Sequence, residues 1–158
     1  MARALGAPLD VFVVRKLGVP GYEEVAMGAV ATGGVRVLND EIVRGLGIPS
    51  YVIEAVAARE QKEVTRRERA YRGGRPAPDA RGRTVILVDD GLATGATMKA
   101  AILASRLLHP ARIVVAVPIA SSETCQEMRS LADEVICAVT PEPFDAVGRW
   151  YEFLANNG

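Results

Sequence analysis

Three short apolar segments rich in β-branched residues constrain the fold of this chain more than any other feature. They cover Val85–Val88, Ile113–Val117 and Val135–Val139. Segments of this kind are typical of strands that are buried on both faces of a parallel sheet. Helical periodicity lies between them, over Thr97–Leu108 and Glu123–Leu131. Strands that alternate with helices form right-handed βαβ units, so we expect an α/β fold with a Rossmann-like parallel sheet flanked by helices.

The N-terminal half has a different organisation. The apolar run Leu9–Val14 predicts a fourth strand of the parallel sheet. Apolar segments on both sides of Thr32-Gly33-Gly34 predict a hairpin, and residues 41–72 are predicted to be helical. We therefore expect a single domain over residues 1–158. Within it, residues 18–78 form a flap, a small insertion of hairpin and helix.

The first six residues predict the last turn of a helix, which Gly6 would close. A domain seldom begins with one helical turn. We therefore expect that an upstream strand and most of a helix are missing from this chain. A frayed N-terminal tail is the alternative.

Composition and charge exclude several functional classes. The chain has 19 basic and 19 acidic residues. A nucleic-acid binder needs a basic surplus, so this balance argues against nucleic acid as a partner. The apolar run 113–120 is far shorter than the ~20 residues of a membrane span. No apolar stretch of a signal peptide follows Met1, so we expect a cytoplasmic protein that does not contact a membrane.

The two cysteines, Cys125 and Cys137, lie in apolar patterns. We interpret them as core residues with free thiols, because two cysteines in a chain of this size do not make a disulfide framework. With a single histidine beside them, no metal-ligand spacing is present.

Aromatic residues are concentrated near the C-terminus, at Phe144, Trp150, Tyr151 and Phe153. Aromatic side chains bury a large apolar area, so this group predicts core packing or a dimer face. Stacking on a base is the alternative.

The candidate ligand-binding residues of the chain are concentrated in Val85–Thr97. Here a predicted strand ends in two adjacent carboxylates, Asp89 and Asp90, and a turn leads into the next predicted helix. Ligands of open parallel sheets bind at the carboxyl ends of the strands. Carboxylates at such an edge suit the hydroxyl groups of a sugar, or a hydrated Mg²⁺ ion.

The turn that follows the two acids suits a phosphate group. Gly91 and Gly95 allow the backbone to approach a phosphate closely, and Thr94 and Thr97 can donate hydroxyl hydrogen bonds. The N-terminus of the next helix adds free N–H groups and a partial positive charge. Carboxylates that can bind a diol, next to a turn that can bind a phosphate, together predict a binding site for ribose 5-phosphate.

Acids at the end of a strand also occur in proteins of different function. An Asp-Asp-Gly sequence after a strand is a common turn. Nucleotide triphosphatases carry acids at a strand end, but the Gly-x-x-x-x-Gly-Lys-Ser/Thr loop of those proteins is absent from the sequence. Phospho-acceptor receiver domains place acids at strand ends too, yet they do not need Gly95 and the two threonines.

Val85–Thr97 resembles the binding signature for 5-phosphoribosyl-1-diphosphate (PRPP) of the type I phosphoribosyltransferases. Four apolar residues, two acids and a Gly/Thr turn match it at every position. Val13–Gly18 resembles the strand end with a basic pair that precedes the mobile catalytic loop of that family. Pro118 and Pro143–Phe153 resemble a group of phosphoribosyltransferases whose substrate is not settled.

The resemblance implies a role for each matching residue. Asp89 and Asp90 would hold the ribose hydroxyls and, through water, Mg²⁺. Arg15 and Lys16 would face the diphosphate, with Lys16 and the two acids as the catalytic groups. The 5-phosphate would be bound by the turn and the start of the helix, that is by Ala93, Thr94, Gly95, Ala96 and Thr97. Gly91 would also contact the substrate.

The reaction that the resemblance implies is the displacement of diphosphate from PRPP by a nitrogenous base, a nucleobase-like acceptor. The family also favours a homodimer. A non-catalytic PRPP- or nucleotide-binding regulatory module is the alternative, and a structural fragment that binds nothing is a third possibility.

The sequence departs from the family in one respect. Family members often carry an Arg-Gly-Gly-x-Pro loop after an earlier strand, which grips the diphosphate. The only similar letters are Arg72-Gly-Gly-Arg-Pro76, and they follow a polar segment. We interpret them as an ordinary loop. The basic stretch before them, Arg59–Arg72, predicts either a solvated helix face or a lid over PRPP.

Overall fold

The computed structural model describes residues 1–76, 78–144 and 146–151. The chain divides into two compact units, Met1–Asp79 and Ala80–Gly158. The single domain expected over the whole chain stays a prediction.

The first unit is a three-stranded antiparallel sheet with a long helix. The strands occur in the order β1-β2-β3, and β2 pairs with both neighbours. The elements are α1 (Ala2–Leu5), β1 (Val14–Val19), β2 (Tyr22–Ala31), β3 (Val35–Leu38), α2 (Asp40–Gly45) and α3 (Ser50–Arg72).

Most local predictions for this unit are confirmed. Gly6 closes α1 in the left-handed conformation, with φ 60°. The turn Thr32–Gly34 joins β2 to β3 as a hairpin, and Gly33 and Gly34 supply its positive φ angles. The predicted helical stretch 41–72 consists of two helices instead of one, because Gly47 adopts a positive φ and Pro49 precedes α3.

The prediction that Leu9–Val14 is a strand of the parallel sheet is wrong. Residues 9–13 form no strand, and Val14 begins β1 of the antiparallel sheet, where it pairs with Ala31. The backbone N–H of Val13 donates to Thr32 Oγ1 over 2.8 Å, and the side chain of Val13 is buried in the core of the first unit. Leu9 and Val11 of the same run are exposed, so the apolar pattern predicted neither the sheet nor the burial of the whole run.

The basic half of α3 forms several ion pairs. Arg66 and Arg67 both bond to Glu63, and their guanidinium groups lower the pKa of Glu63 to about 2. Arg72 pairs with Glu68 one turn earlier and with Asp10, at 2.7 and 2.6 Å. These contacts agree with the interpretation of a solvated, self-paired helix face. The lid over PRPP stays a prediction.

Residues 73–76 form a loop, as predicted, and Arg72 is the last residue of α3. Gly73 ends α3 with φ 57°, and its N–H donates to the carbonyl oxygen of Arg69. The segment whose sequence resembles a diphosphate loop therefore contains the C-cap of α3.

The second unit contains the predicted parallel sheet. Its three strands are parallel and occur in the order β4-β5-β6. Val88 of β4 pairs with Ala116 of β5, and Val117 of β5 pairs with Cys137 of β6. The prediction of an α/β fold with helices flanking a parallel sheet is confirmed. The elements are β4 (Thr84–Val88), α4 (Ala96–Arg106), β5 (Arg112–Ile119), α5 (Ser122–Arg129) and β6 (Glu134–Val139).

The two faces of this sheet differ in exposure. Right-handed connections carry both α4 and α5 to the same face, where Leu87, Val115 and Val117 are buried. On the other face Ile86, Val88 and Ile136 are 38%, 56% and 50% exposed. The sheet therefore presents apolar side chains to solvent.

The interpretation of the cysteines as free thiols is wrong. Cys125 on α5 and Cys137 on β6 are joined in a disulfide. The two residues are 12 positions apart in sequence, and the α5–β6 unit brings their side chains together. Periodicity placed both residues in apolar elements correctly, but it carries no information about which side chains meet there.

Within the described residues, no helix combines the length and apolar character that a membrane span requires.

Candidate functional site

Two exposed carboxylates mark the carboxyl end of β4. Asp89 and Asp90 directly follow Val88, the last residue of the strand, and both are exposed. The backbone N–H of Asp90 donates to Asp89 Oδ1 over 2.9 Å. Exposed carboxylate oxygens at this edge can accept hydrogen bonds from a ligand.

The turn after the acids is attached to the neighbouring strand. Leu92 is buried, and its N–H donates to the carbonyl oxygen of Ile119, the last residue of β5, over 2.9 Å. Leu92 also forms a parallel bridge with Ala120. The chain on both sides of Leu92 is therefore held at the edge of the sheet while the neighbouring Ala93 and Thr94 stay exposed.

Gly95 directs the turn into α4. Its φ is +66°, a left-handed conformation that favours glycine, and it is the N-cap of α4. No side chain of the described residues caps this helix. The first N–H groups of α4, including those of Ala96 and Thr97, are thus open to an anion.

Thr124 is a contributor to this turn that the sequence analysis missed. It is buried on α5, and its hydroxyl donates to the carbonyl oxygen of Ala93 over 2.7 Å. Ser121, the N-cap of α5, donates to Thr124 Oγ1 in turn, over 2.8 Å. A serine before a helix signals a cap in the sequence, but nothing in the sequence shows that this cap region contacts a turn 31 residues earlier.

A second missed contact comes from the aromatic group near the C-terminus. The hydroxyl of Tyr151 donates to the carbonyl oxygen of Asp90 over 2.7 Å. Tyr151 is 42% exposed, so it contacts the predicted site instead of packing in a core. Phe153 of the same group lies outside the described residues.

Arg15 and Lys16 belong to the first unit, on β1. Arg15 forms an ion pair with the buried Glu60 of α3, with 2.8 Å between the guanidinium and carboxylate atoms. Its charge is therefore committed to α3 in this structure. Lys16 is exposed on the same strand.

A protein-only metal cage is absent from the part of the chain that the structure describes, where no three or more His, Cys, Asp or Glu residues cluster. Asp89 and Asp90 offer two adjacent carboxylates. This fits Mg²⁺, which proteins hold through one or two carboxylates together with substrate phosphates and water.

A groove of about 450 Å³ adjoins the turn. Its walls come from the turn itself, from the first turns of α5 and from one aromatic ring. The lining residues are Ala93, Thr94, Ser121, Glu123, Thr124, Glu127 and Phe144.

A parallel sheet with carboxylates at one strand end, followed by a glycine turn and an uncapped helix N-terminus, is the arrangement of α/β proteins that bind phosphorylated ligands. The model of the phosphoribosyl transferase domain family matches residues 1–148. The chain belongs to that family, and the resemblance noted from the sequence is confirmed.

Relatives with known sequences agree with this assignment. Two proteins of Mycobacterium tuberculosis are 46% identical to this chain over 151 residues, in strains CDC 1551 / Oshkosh and ATCC 25618 / H37Rv. Their names are "Putative phosphoribosyl transferase MT0597" and "Putative phosphoribosyl transferase Rv0571c". The match covers 96% of this chain and 34% of each relative, so the chain spans about a third of their length.

A solved structure shares the fold of this chain. The crystal structure of TT1426 from Thermus thermophilus matches with a TM-score of 0.83 and 44% sequence identity. The match covers 94% of this chain and 70% of that chain.

Proposed function

We propose that this chain binds PRPP with Mg²⁺ and transfers the 5-phosphoribosyl group to a nitrogenous base, with release of diphosphate. One observation carries the proposal: the exposed Asp89 and Asp90 lie next to a turn that ends at the uncapped N-terminus of α4. Membership of the phosphoribosyl transferase domain family supports the same class of reaction.

In this proposal the transferred ribose is held at two points. Asp89 and Asp90 accept hydrogen bonds from the ribose 2- and 3-hydroxyls. Backbone N–H groups and hydroxyls from residues 93–97 bind the 5-phosphate. Fixing both ends of the sugar orients the anomeric carbon for attack, which contributes to catalysis through positioning.

The chemical step needs charge stabilisation and no covalent nucleophile. A nitrogen lone pair forms the new bond to the anomeric carbon as the bond to diphosphate breaks, and diphosphate leaves with the bonding electrons. Positive charge develops on the ribose, where the carboxylates of Asp89 and Asp90 stabilise it. Bound Mg²⁺ would neutralise charge on the departing diphosphate, with Asp89 and Asp90 as its ligands through water.

The diphosphate of PRPP has to be bound by positive charge or by N–H donors. Lys16 and Arg15 would face the diphosphate, but Arg15 is paired with Glu60. The segment that resembles a diphosphate loop, Arg72–Pro76, contains the C-cap of α3 instead. These two observations favour the alternative function, a PRPP- or nucleotide-binding module without turnover.

Calorimetric titration separates the two functions. We expect PRPP with Mg²⁺ to bind this chain more tightly than ribose 5-phosphate does, and diphosphate to be released when a panel of nucleobases is added. Equal and weak affinity for both ligands would mean that the diphosphate is not gripped. It would contradict the enzymatic proposal, whereas tight PRPP binding without diphosphate release would support the binding module.

The groove beside the turn is the space that we propose for the acceptor. It borders Thr94 of the phosphate turn, and Phe144 offers a ring face for stacking. Glu123 and Glu127 are hydrogen-bond acceptors in the same groove, and Lys99 pairs with Glu127. These walls suit a flat heterocycle that presents N–H donors, so amino-substituted bases belong first in the panel.

We also propose that the chain forms a homodimer. The apolar side chains of Ile86, Val88 and Ile136 are exposed on one sheet face, and burying such a patch stabilises association. Sedimentation equilibrium is expected to give twice the monomer mass. The double variant Ile86→Ser with Ile136→Ser is expected to shift the mass toward the monomer. A wild-type chain that stays monomeric at micromolar concentrations would contradict the dimer.

A cytoplasmic location remains part of the proposal. The Cys125–Cys137 disulfide argues against it, because disulfides are rare in reducing compartments.

A further inference from the structure

The backbone between the two acids and the phosphate turn is held by the C-terminal segment of the second unit. The carbonyl oxygen of Asp90 accepts a hydrogen bond of 2.7 Å from the hydroxyl of Tyr151. Tyr151 lies 61 residues further along the chain, in the helical turn 147–151. A contact over this separation is made by the tertiary fold.

The next residue of the same backbone is enclosed by two side chains. A Cβ atom added at Gly91 would lie 2.6 Å from Cγ1 of Val147 and 2.8 Å from Cγ2 of Ile119. At distances below 3.0 Å these neighbours would have to shift, so Val147 and Ile119 fill the space that a Cβ at Gly91 would need. Val147 and Tyr151 are four residues apart, on one face of their helical turn.

The carboxylates themselves have no comparable support from the residues that the structure describes. Asp89 and Asp90 are exposed, and the hydrogen bond from Asp90 N–H to Asp89 Oδ1 is a local one. The direction of both side chains therefore depends on the orientation of the backbone that carries them. That backbone is held from β5 by Ile119 and from residues 147–151 by Val147 and Tyr151.

We propose that Tyr151 is a positioning residue. Its hydroxyl holds the Asp90–Gly91 peptide in the orientation that presents both carboxylates to the ribose hydroxyls, and Val147 fixes the same peptide from the apolar side. The inference rests on the proposed function, since it concerns the ribose end of the same site. Tyr151 acts through Asp90 and touches no reacting atom.

The variant Tyr151→Phe removes this hydrogen bond and keeps the ring. We expect it to weaken binding of ribose 5-phosphate by roughly three- to tenfold, the range of one neutral hydrogen bond. Binding of inorganic phosphate should not change, because the turn at residues 93–97 is held separately by Leu92 and Thr124. Calorimetry with the two ligands measures both affinities.

Two comparisons show whether Tyr151 acts through the acids. Tyr51→Phe is the matched control, because Tyr51 is exposed on α3 in the first unit, and it should bind both ligands as the wild type does. In the background Asp89→Asn with Asp90→Asn, Tyr151→Phe should cause no further loss of affinity for ribose 5-phosphate. A general structural role would instead lower both affinities and add to the effect of the acid variants.

Each outcome decides the matter. A selective loss for ribose 5-phosphate that disappears in the acid background supports the inference. Unchanged binding, or an equal loss for both ligands, overturns it while the proposed function stands. A wild type that binds neither ligand overturns both. If Tyr151→Phe does not fold, Val147→Ala loosens the same peptide and should show the same selective loss, or else the inference is wrong.

Discussion

Replacing Asp89 and Asp90 together by asparagine is expected to reduce phosphoribosyl transfer by roughly 10²- to 10⁴-fold. Each charge-assisted hydrogen bond to a ribose hydroxyl is worth about 1.5–3 kcal/mol, and the variant removes two charged acceptors. The carboxamides have the same shape, and both residues are exposed, so the fold should not change. Diphosphate release from PRPP with the base panel is the measurement.

The matched control is another adjacent pair of acids. Asp40→Asn with Glu41→Gln removes the same charge from exposed positions in the first turn of α2. It should leave transfer within about twofold of wild type, because neither side chain belongs to the proposed site and exposed surface charges are screened in physiological salt. Transfer that persists in the Asp89/Asp90 variant would show that these acids are not the ribose site.

The second large effect is expected at Gly95. An alanine there must adopt a left-handed conformation, which costs about 1–2 kcal/mol. Its Cβ would also lie 2.7 Å from Cγ2 of Thr124 and 3.1 Å from Cε of Met128. Because the hydroxyl of Thr124 holds the Ala93 carbonyl, the clash displaces the turn as well as the helix start. Binding of inorganic phosphate should fall more than tenfold, a change worth about 1.4 kcal/mol or more.

Gly82 separates the two contributions. It has φ +67°, almost the same as the +66° of Gly95, but an added Cβ there would meet no atom within 4 Å. Gly82→Ala should therefore show the conformational cost alone and bind phosphate normally. Gly95→Ala should lose an additional ~1–3 kcal/mol in denaturant unfolding, the usual cost of overpacking. Equal behaviour of the two variants would mean that the Gly95 turn does not depend on its contact with Thr124.

The strand–turn–helix at residues 84–106 could be predicted from the sequence because its determinants are local. An apolar β-branched run, two acids, glycines at the turn and a helical period follow one another within a few residues. Each of these preferences acts over one or two turns of chain. The hairpin at Thr32–Gly34 was predictable for the same reason, since Gly33 and Gly34 meet its demand for positive φ.

The contacts that support the site could not be predicted in this way. Thr124 and Tyr151 are ordinary residues of their own helical segments, and their bonds to Ala93 and Asp90 cross 31 and 61 residues. The same holds for the Cys125–Cys137 disulfide and for the ion pair that occupies Arg15. An isolated sequence shows that a side chain can donate or accept, but not which partner the fold brings into hydrogen-bonding distance.

Local residue order thus settled which chemistry this protein can offer: carboxylates at a strand end, a phosphate-sized turn and a helix N-terminus. Packing settled how that chemistry is held, and to which sheet each apolar run belongs. Leu9–Val14 illustrates the division, because its apolar character predicts a buried strand. In the structure Leu9 and Val11 are exposed, and Val13, which bonds to Thr32, is buried in the first unit. Hydrophobic burial is non-directional, so it does not specify which residues meet. Hydrogen bonds and close contacts are directional, and their partners are determined only when the chain has folded.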